Sequence, residues 1–194
     1  VNIMENPSVK LGRLTSAAAQ ESYTRKFVKL TDIVRLAYGR VHEVTGLSRD
    51  SFAVCIAAKT AGPIVWIGRD KDVYSLCPSA LSRFFDPSRL ITIECTSRQE
   101  SLWAAEEALR SKGAECVIVQ IDQGPNLKES RRLQLAAEAG RCLGLILIGR
   151  RAQSSAAQTR WHCCPAEIKA AANDQSWRWE LTKNKSGKTG VWDA

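Results

Sequence analysis

Short apolar runs at 41–44, 64–67, 90–94, 116–121 and 143–148 alternate with longer stretches of helical period, a pattern that predicts βαβ units wound into a mostly parallel sheet. Several runs are apolar at consecutive positions, as in Val117-Ile118-Val119 and Leu145-Ile146-Leu147-Ile148, so helices must cover both faces of that sheet. Three helices are expected between the strands, at 50–61, 98–112 and 129–141. The second starts on Ser97 and Glu100, which fit a capping box, repeats Leu102, Ala105, Glu106 and Leu109 at helical spacing, and stops at Lys112-Gly113. The third is closed by Gly140 or Gly144.

Beyond Arg151 the pattern turns antiparallel. Residues 177–182 alternate with period two, Asn184-Lys185-Ser186-Gly187-Lys188 reads as a hairpin turn returning through 189–192, and 159–164 is a further strand. Near the start, Phe27, Leu30, Val34 and Tyr38 fall on one helical face and predict a helix over 23–38, whereas 1–22 carries no ordered pattern. The organisation expected is a partly helical N-terminal extension over 1–38, then one α/β domain over 39–194 that includes a C-terminal β-hairpin within 159–192.

A chain of 194 residues is long enough to bury a core without crosslinks. Its seven cysteines are odd in number, irregularly spaced and mostly inside apolar runs, as suits thiols in a reducing cytoplasm. Neither a secretory leader nor an apolar run near the ~20 residues of a membrane span is present, so no membrane contact is expected. The net charge of +8 is concentrated at the ends: residues 1–40 carry seven Lys and Arg against three Asp and Glu, 41–148 thirteen of each, and 149–194 eight against four. Basic ends on a neutral body suit nucleic acid or an acidic partner, and equally suit solubility.

The turn after the first parallel strand is where such a sheet would hold a nucleotide. A phosphate-binding loop needs glycines that let backbone N–H groups wrap the phosphates, a lysine for the terminal phosphates and a hydroxyl for magnesium. Here the segment reads Thr45-Gly46-Leu47-Ser48-Arg49-Asp50-Ser51-Phe52, with one glycine and no Gly-Lys-Thr. Gly46, Ser48, Arg49, Asp50 and Ser51 are therefore expected to line a degenerate nucleotide pocket. Gln120, a neutral amide, stands where a magnesium-holding carboxylate would end the fourth strand, with Asp122 two residues on and on the same face. No catalytic residue, metal ligand or cofactor is expected, and binding of ATP and magnesium without cleavage is left open.

Three other fragments lose their first reading. Gly187-Lys188-Thr189 lacks the upstream glycine of a phosphate loop and is read as a hairpin turn. His42-Glu43 has Gly46 where a zinc protease needs its second histidine, and His162-Cys163-Cys164 has no second ligand cluster. Trp161, Trp177, Trp179 and Trp192 are interleaved with Arg160, Arg178, Lys183, Lys185 and Lys188, which suits base stacking beside a phosphate backbone. Trp177, Trp179 and Leu181 nevertheless share one strand face, the pattern of a hairpin packed on a core with its basic residues outward.

The order and spacing of several segments resemble the ImuA family of inducible-mutagenesis proteins, related to RecA and to the cell-division inhibitor SulA. They are Gly39-Arg40-Val41-His42-Glu43-Val44, Gly62-Pro63-Ile64-Val65-Trp66, Trp103-Ala104-Ala105-Glu106-Glu107-Ala108-Leu109-Arg110, Ser130-Arg131-Arg132-Leu133-Gln134-Leu135-Ala136-Ala137-Glu138, Ser155-Ala156-Ala157-Gln158-Thr159-Arg160-Trp161 and Trp177-Arg178-Trp179-Glu180-Leu181. The resemblance spans about 39–192 and implies a RecA-like fold and a role in the bacterial SOS response to DNA damage. It also implies partners in translesion synthesis: a Y-family-like polymerase homologue (ImuB), an error-prone replicative-type polymerase, and possible contact with single-stranded DNA or RecA. The expected role is a non-catalytic scaffold whose contacts involve Arg131, Arg132, Arg160, Arg178, Lys183, Lys185 and Lys188. The alternatives are a recombinase-like ATPase with a divergent phosphate loop and a SulA-like inhibitor of cell division.

Overall fold

The computed structural model describes residues 26–31, 34–166 and 176–193. Its strands are β1 (Phe27–Lys29), β2 (Arg35–Ala37), β3 (Arg40–Thr45), β4 (Ile64–Gly68), β5 (Leu90–Glu94), β6 (Cys116–Gln123), β7 (Leu143–Arg151), β8 (Thr159–Pro165), β9 (Trp177–Asn184) and β10 (Gly190–Asp193). Helix α1 (Arg49–Ala57) follows β3, α2 (Asp70–Tyr74) and α3 (Pro78–Leu81) lie between β4 and β5, and α4 (Arg98–Arg110) and α5 (Leu127–Gly140) precede β6 and β7.

Strands β3 to β10 form one sheet in the order β5-β4-β6-β7-β3-β8-β9-β10. Neighbours are parallel from β5 to β8, and only β9 runs against its neighbours. Strands β3 to β7 lie where the apolar runs predict them, with β6 and β7 extended at their carboxyl ends, whereas β8, expected within the antiparallel part, runs parallel to β3 and antiparallel only to β9. Alternation within each strand divides the core. Trp66, Ile118, Leu145 and Leu147 pack with Phe52 and Ile56 of α1, whereas Ile67, Val119, Ile146 and Ile148 pack with Leu109 of α4 and Leu133 of α5. Both faces are thus covered, as consecutive apolar residues require.

Local chemistry sets the helix starts. Ser97 accepts the Glu100 N–H at 3.1 Å, and the Glu100 carboxylate reaches Thr96. Helix α5 begins before its expected start because Asn126 and Glu129 form a reciprocal capping box. At its end Gly140 permits close helix packing: a Cβ there would lie 1.9 Å from the carbonyl oxygen of Leu109.

The N-terminal expectation is corrected. Residues 27–29 and 35–37 pair as an antiparallel hairpin, with Val28 level with Leu36, instead of forming a helix over 23–38. Both of those side chains are buried in the core beside α1, while Phe27, on the expected helical face, is exposed. The Val34 N–H donates to Thr31 Oγ1 at 3.0 Å, a local bond that competes with helix formation. Residues 1–25 of the expected extension lie outside the described residues.

A polar network ties this hairpin to the sheet. His42, 1% exposed, donates from Nε2 to the carbonyl of Ala37 at 3.1 Å, and its Nδ1 accepts from Thr159 Oγ1 at 2.7 Å. Trp161 Nε1 donates to the same hydroxyl at 3.0 Å, which fixes its proton towards His42. Burial lowers the imidazole from its ordinary 6.5 to about 4. The unfolded chain therefore takes up a proton below pH 6.5 that the folded protein refuses until about pH 4. Stability from this group is complete above that window, falls through it by about 3 kcal/mol, and is level beneath it. Urea unfolding across this range is expected to show the loss in wild type and a smaller loss in His42→Gln.

Candidate functional site

The carboxyl ends of β3, β4, β6 and β7 form the edge at which a parallel α/β sheet receives ligands. There β3 enters α1 through only Gly46, Leu47 and Ser48, whereas the phosphate-loop pattern spans eight residues. Gly46 has φ of +93°, and a Cβ on it would lie 2.1 Å from the carbonyl oxygen of Cys163 in β8. That carbonyl also accepts the Ser48 N–H at 3.0 Å. The glycine thus serves the close approach of a strand, and one N–H that could face a phosphate is spent on it. Arg49 turns back to the carbonyl of Gly46 at 3.2 Å, and Ser51 is half-buried in the first turn of α1.

Across the gap, Trp66 Nε1 donates to Gln120 Oε1 at 2.6 Å and the Gln120 amide donates to Asp50 Oδ1 at 2.8 Å. This relay joins β4, β6 and the start of α1. The Trp66 donor fixes which end of the amide carries the oxygen. Burial pushes the Asp50 carboxyl above its ordinary value; Arg49 opposes that shift and Asp72 adds to it. Asp122 is held in an ion pair with Arg69 at 2.8 Å. The expected pocket residues Gly46, Ser48, Arg49, Asp50, Gln120 and Asp122 lie along this edge; Gln120 meets Asp50 and Arg49 meets Gly46, whereas Asp122 is bonded to Arg69 and the Ser48 N–H to Cys163.

The basic candidates are scattered. Arg160 reaches into the sheet to Glu43, which is 0% exposed, with Nη2 at 2.7 Å and Nε at 2.8 Å, and it also donates to the Gln153 carbonyl. Lys183 and Lys185 donate to the carbonyls of Ser155 and Ala156, each at 2.6 Å. These three cations therefore bind down the 152–158 connection. Arg178 pairs with Asp193 at 2.7 Å and Arg132 pairs with Glu106, while Arg131 and Lys188 are exposed. Arg150 and Arg151, which the sequence reading passed over, stand exposed at the carboxyl end of β7. Their signal was a pair of arginines closing an apolar run.

The hairpin tryptophans resolve towards packing. Trp161 and Trp179 are buried, each with its ring centroid 5.4 Å from that of Phe52, and Trp192 lies 5.6 Å from Trp161. Gly187 lies in the turn between β9 and β10, as read from the sequence. Among the described residues, no three His, Cys, Asp or Glu side chains gather to hold a metal, and no helix is long and apolar enough to cross a membrane.

An eight-stranded sheet of this order, with a strand–turn–helix at its centre and a C-terminal antiparallel hairpin, defines a mostly parallel α/β domain flanked by helices. No family model matches the chain. It is, however, 30% identical over 185 residues to Protein ImuA of Caulobacter vibrioides strain NA1000 / CB15N, covering 81% of this chain and 75% of that protein. Protein ImuA of strain ATCC 19089 / CIP 103742 / CB 15 matches with the same figures. The chain belongs to the ImuA family, a family associated with DNA-damage mutagenesis.

Proposed function

We propose that this protein is a non-catalytic accessory factor of damage-induced mutagenesis, acting through partner contacts on a RecA-like body. The observation that carries the reading is the β3–α1 turn. A three-residue turn in which Gly46 abuts the Cys163 carbonyl and Ser48 donates to it does not fit a triphosphate, and the lysine of a phosphate loop has no counterpart there. Asp50 and Gln120 stand bonded to one another across the gap, so the residues offer magnesium no shell. The family supports partners in translesion synthesis, namely a Y-family-like polymerase homologue and an error-prone replicative-type polymerase. With Arg160, Lys183 and Lys185 engaged within the fold, Arg131, Lys188, Arg150 and Arg151 are the cations best placed to meet an acidic partner or single-stranded DNA.

Calorimetric titration with ATP and magnesium, alone and with single-stranded DNA, tests the reading. The expected result is no saturable heat at millimolar nucleotide and no phosphate release. Hydrolysis that Asp122→Asn abolishes would overturn it.

A further inference from the structure

Strand β5 ends the sheet, and among the described residues no strand covers its outer edge. Exposed edges are normally blunted by proline, a bulge, charge or a covering segment. β5 reads Leu90-Ile91-Thr92-Ile93-Glu94, keeps unbroken register with β4, and carries charge only at its last position. Ile91 is 52% exposed, and Trp103 on α4 is 61% exposed. Ile93 and Trp103 line an apolar groove of about 630 Å³ floored by Ala104 and Ala108 and rimmed by Glu107 and Arg110.

The direction of the main-chain groups on this edge follows from the ladder. Cys95 N–H donates to the carbonyl of Gly68, and Gly68 is level with Glu94. Ile91 and Ile93 therefore turn their N–H and C=O groups to β4, while Leu90, Thr92 and Glu94 turn theirs outward. The Leu90 N–H is already given to Pro87, which leaves its carbonyl free. The outward-facing residues are evenly spaced about Thr92. If a second copy lay antiparallel with a twofold axis at Thr92, the two threonines would exchange both bonds. Each Glu94 N–H would then meet the opposite Leu90 carbonyl. On the α4 side Ile91 would lie opposite the second copy's Ile93, extending the apolar surface that Trp103 begins.

We propose that two copies of this chain dimerise by antiparallel pairing of their β5 edges, continuing one sheet into the other. A second copy is the occupant because Ile91 and Ile93 flank Thr92 symmetrically and the Glu94 N–H of each copy meets the free Leu90 carbonyl of the other. The groove rim carries one charge of each sign, so two copies meet without net repulsion. A twofold contact of this kind is self-complementary and closes on itself, which leaves no further edge of the same type exposed.

Sedimentation equilibrium should give twice the 21.4 kDa chain mass at high concentration. Thr92→Pro removes an outward N–H and leaves the bonds to β4 intact, and should weaken association at least about 30-fold. Ile91→Lys is expected to do the same by setting a charge against the second copy's Ile93. Oxidised Thr92→Cys should crosslink into a covalent dimer where the wild type, with its native thiols, does not, because residues in a hydrogen-bonded antiparallel pair have Cα atoms about 5.5 Å apart. A wild type that is monomeric throughout overturns the proposal, including one that takes up a foreign strand. So does a dimer that survives Ile91→Lys with unchanged circular dichroism, or a Thr92→Cys chain that fails to crosslink.

Discussion

Gly46→Ala is expected to destabilise the fold by at least about 3 kcal/mol, an effect far larger than its half-buried position in a turn would imply. The left-handed φ of +93° already disfavours a side chain, and the added Cβ meets a backbone carbonyl at 2.1 Å, so β8 itself would have to move. Displacing β8 also breaks the bond from Ser48 and shifts Trp161 and Cys163, which sit in the core beside α1. Urea denaturation measures the loss, with Leu47→Ala, 83% exposed in the same turn, as a near-neutral control. In a working phosphate loop the substitution would chiefly cost nucleotide affinity. A Gly46→Ala protein of wild-type stability would show that Cys163 does not make the close approach described.

Removing Arg160 is the second large effect. Arg160→Ala strips the fully buried Glu43 of its ion-pair partner, and loss of one partner of such a pair costs about 3–5 kcal/mol. One Glu43 oxygen already lacks a hydrogen-bond partner, and Lys183, the other cation near this carboxyl, is itself bonded to the Ser155 carbonyl. The double substitution Glu43→Leu with Arg160→Met is expected to recover most of that stability, because a well-packed apolar pair needs no compensation. A thermal-unfolding double-mutant cycle reads the coupling, and additive effects would show that the pair acts at the surface. The expected result also separates folding from binding, since Arg160 was read from the sequence as a contact residue.

Much of the fold was legible because periodicity reports burial. Apolar positions on both parities at 64–67, 116–121 and 143–148 could only be strands covered on both sides, and the two core layers obey that parity. The N-terminal hairpin was not legible. Strands of three residues are too short to display a period, and Phe27, Leu30, Val34 and Tyr38 fell at helical spacing although the inward pair is Val28 and Leu36. At the site, the loss of glycines and lysine after Val44 could be read directly, because a phosphate loop is a local pattern. The bonds that replace it could not: Trp66, Gln120 and Asp50 are far apart in sequence, and Cys163 comes more than a hundred residues after Gly46. The same separation hid Glu43 from Arg160 and made Lys183 and Lys185 look like free surface cations.

The position of β3 bears on how the chain is made. It is the first strand of the large sheet to leave the ribosome, yet its neighbours β7 and β8 are synthesised roughly a hundred residues later. Until then the nascent segment holds β3 with both ladders open, and closure must await the synthesis of β7 and β8. Such non-local pairing is slow and leaves sticky intermediates exposed. A ribosome stalled before β8 would thus present a natural client for a chaperone.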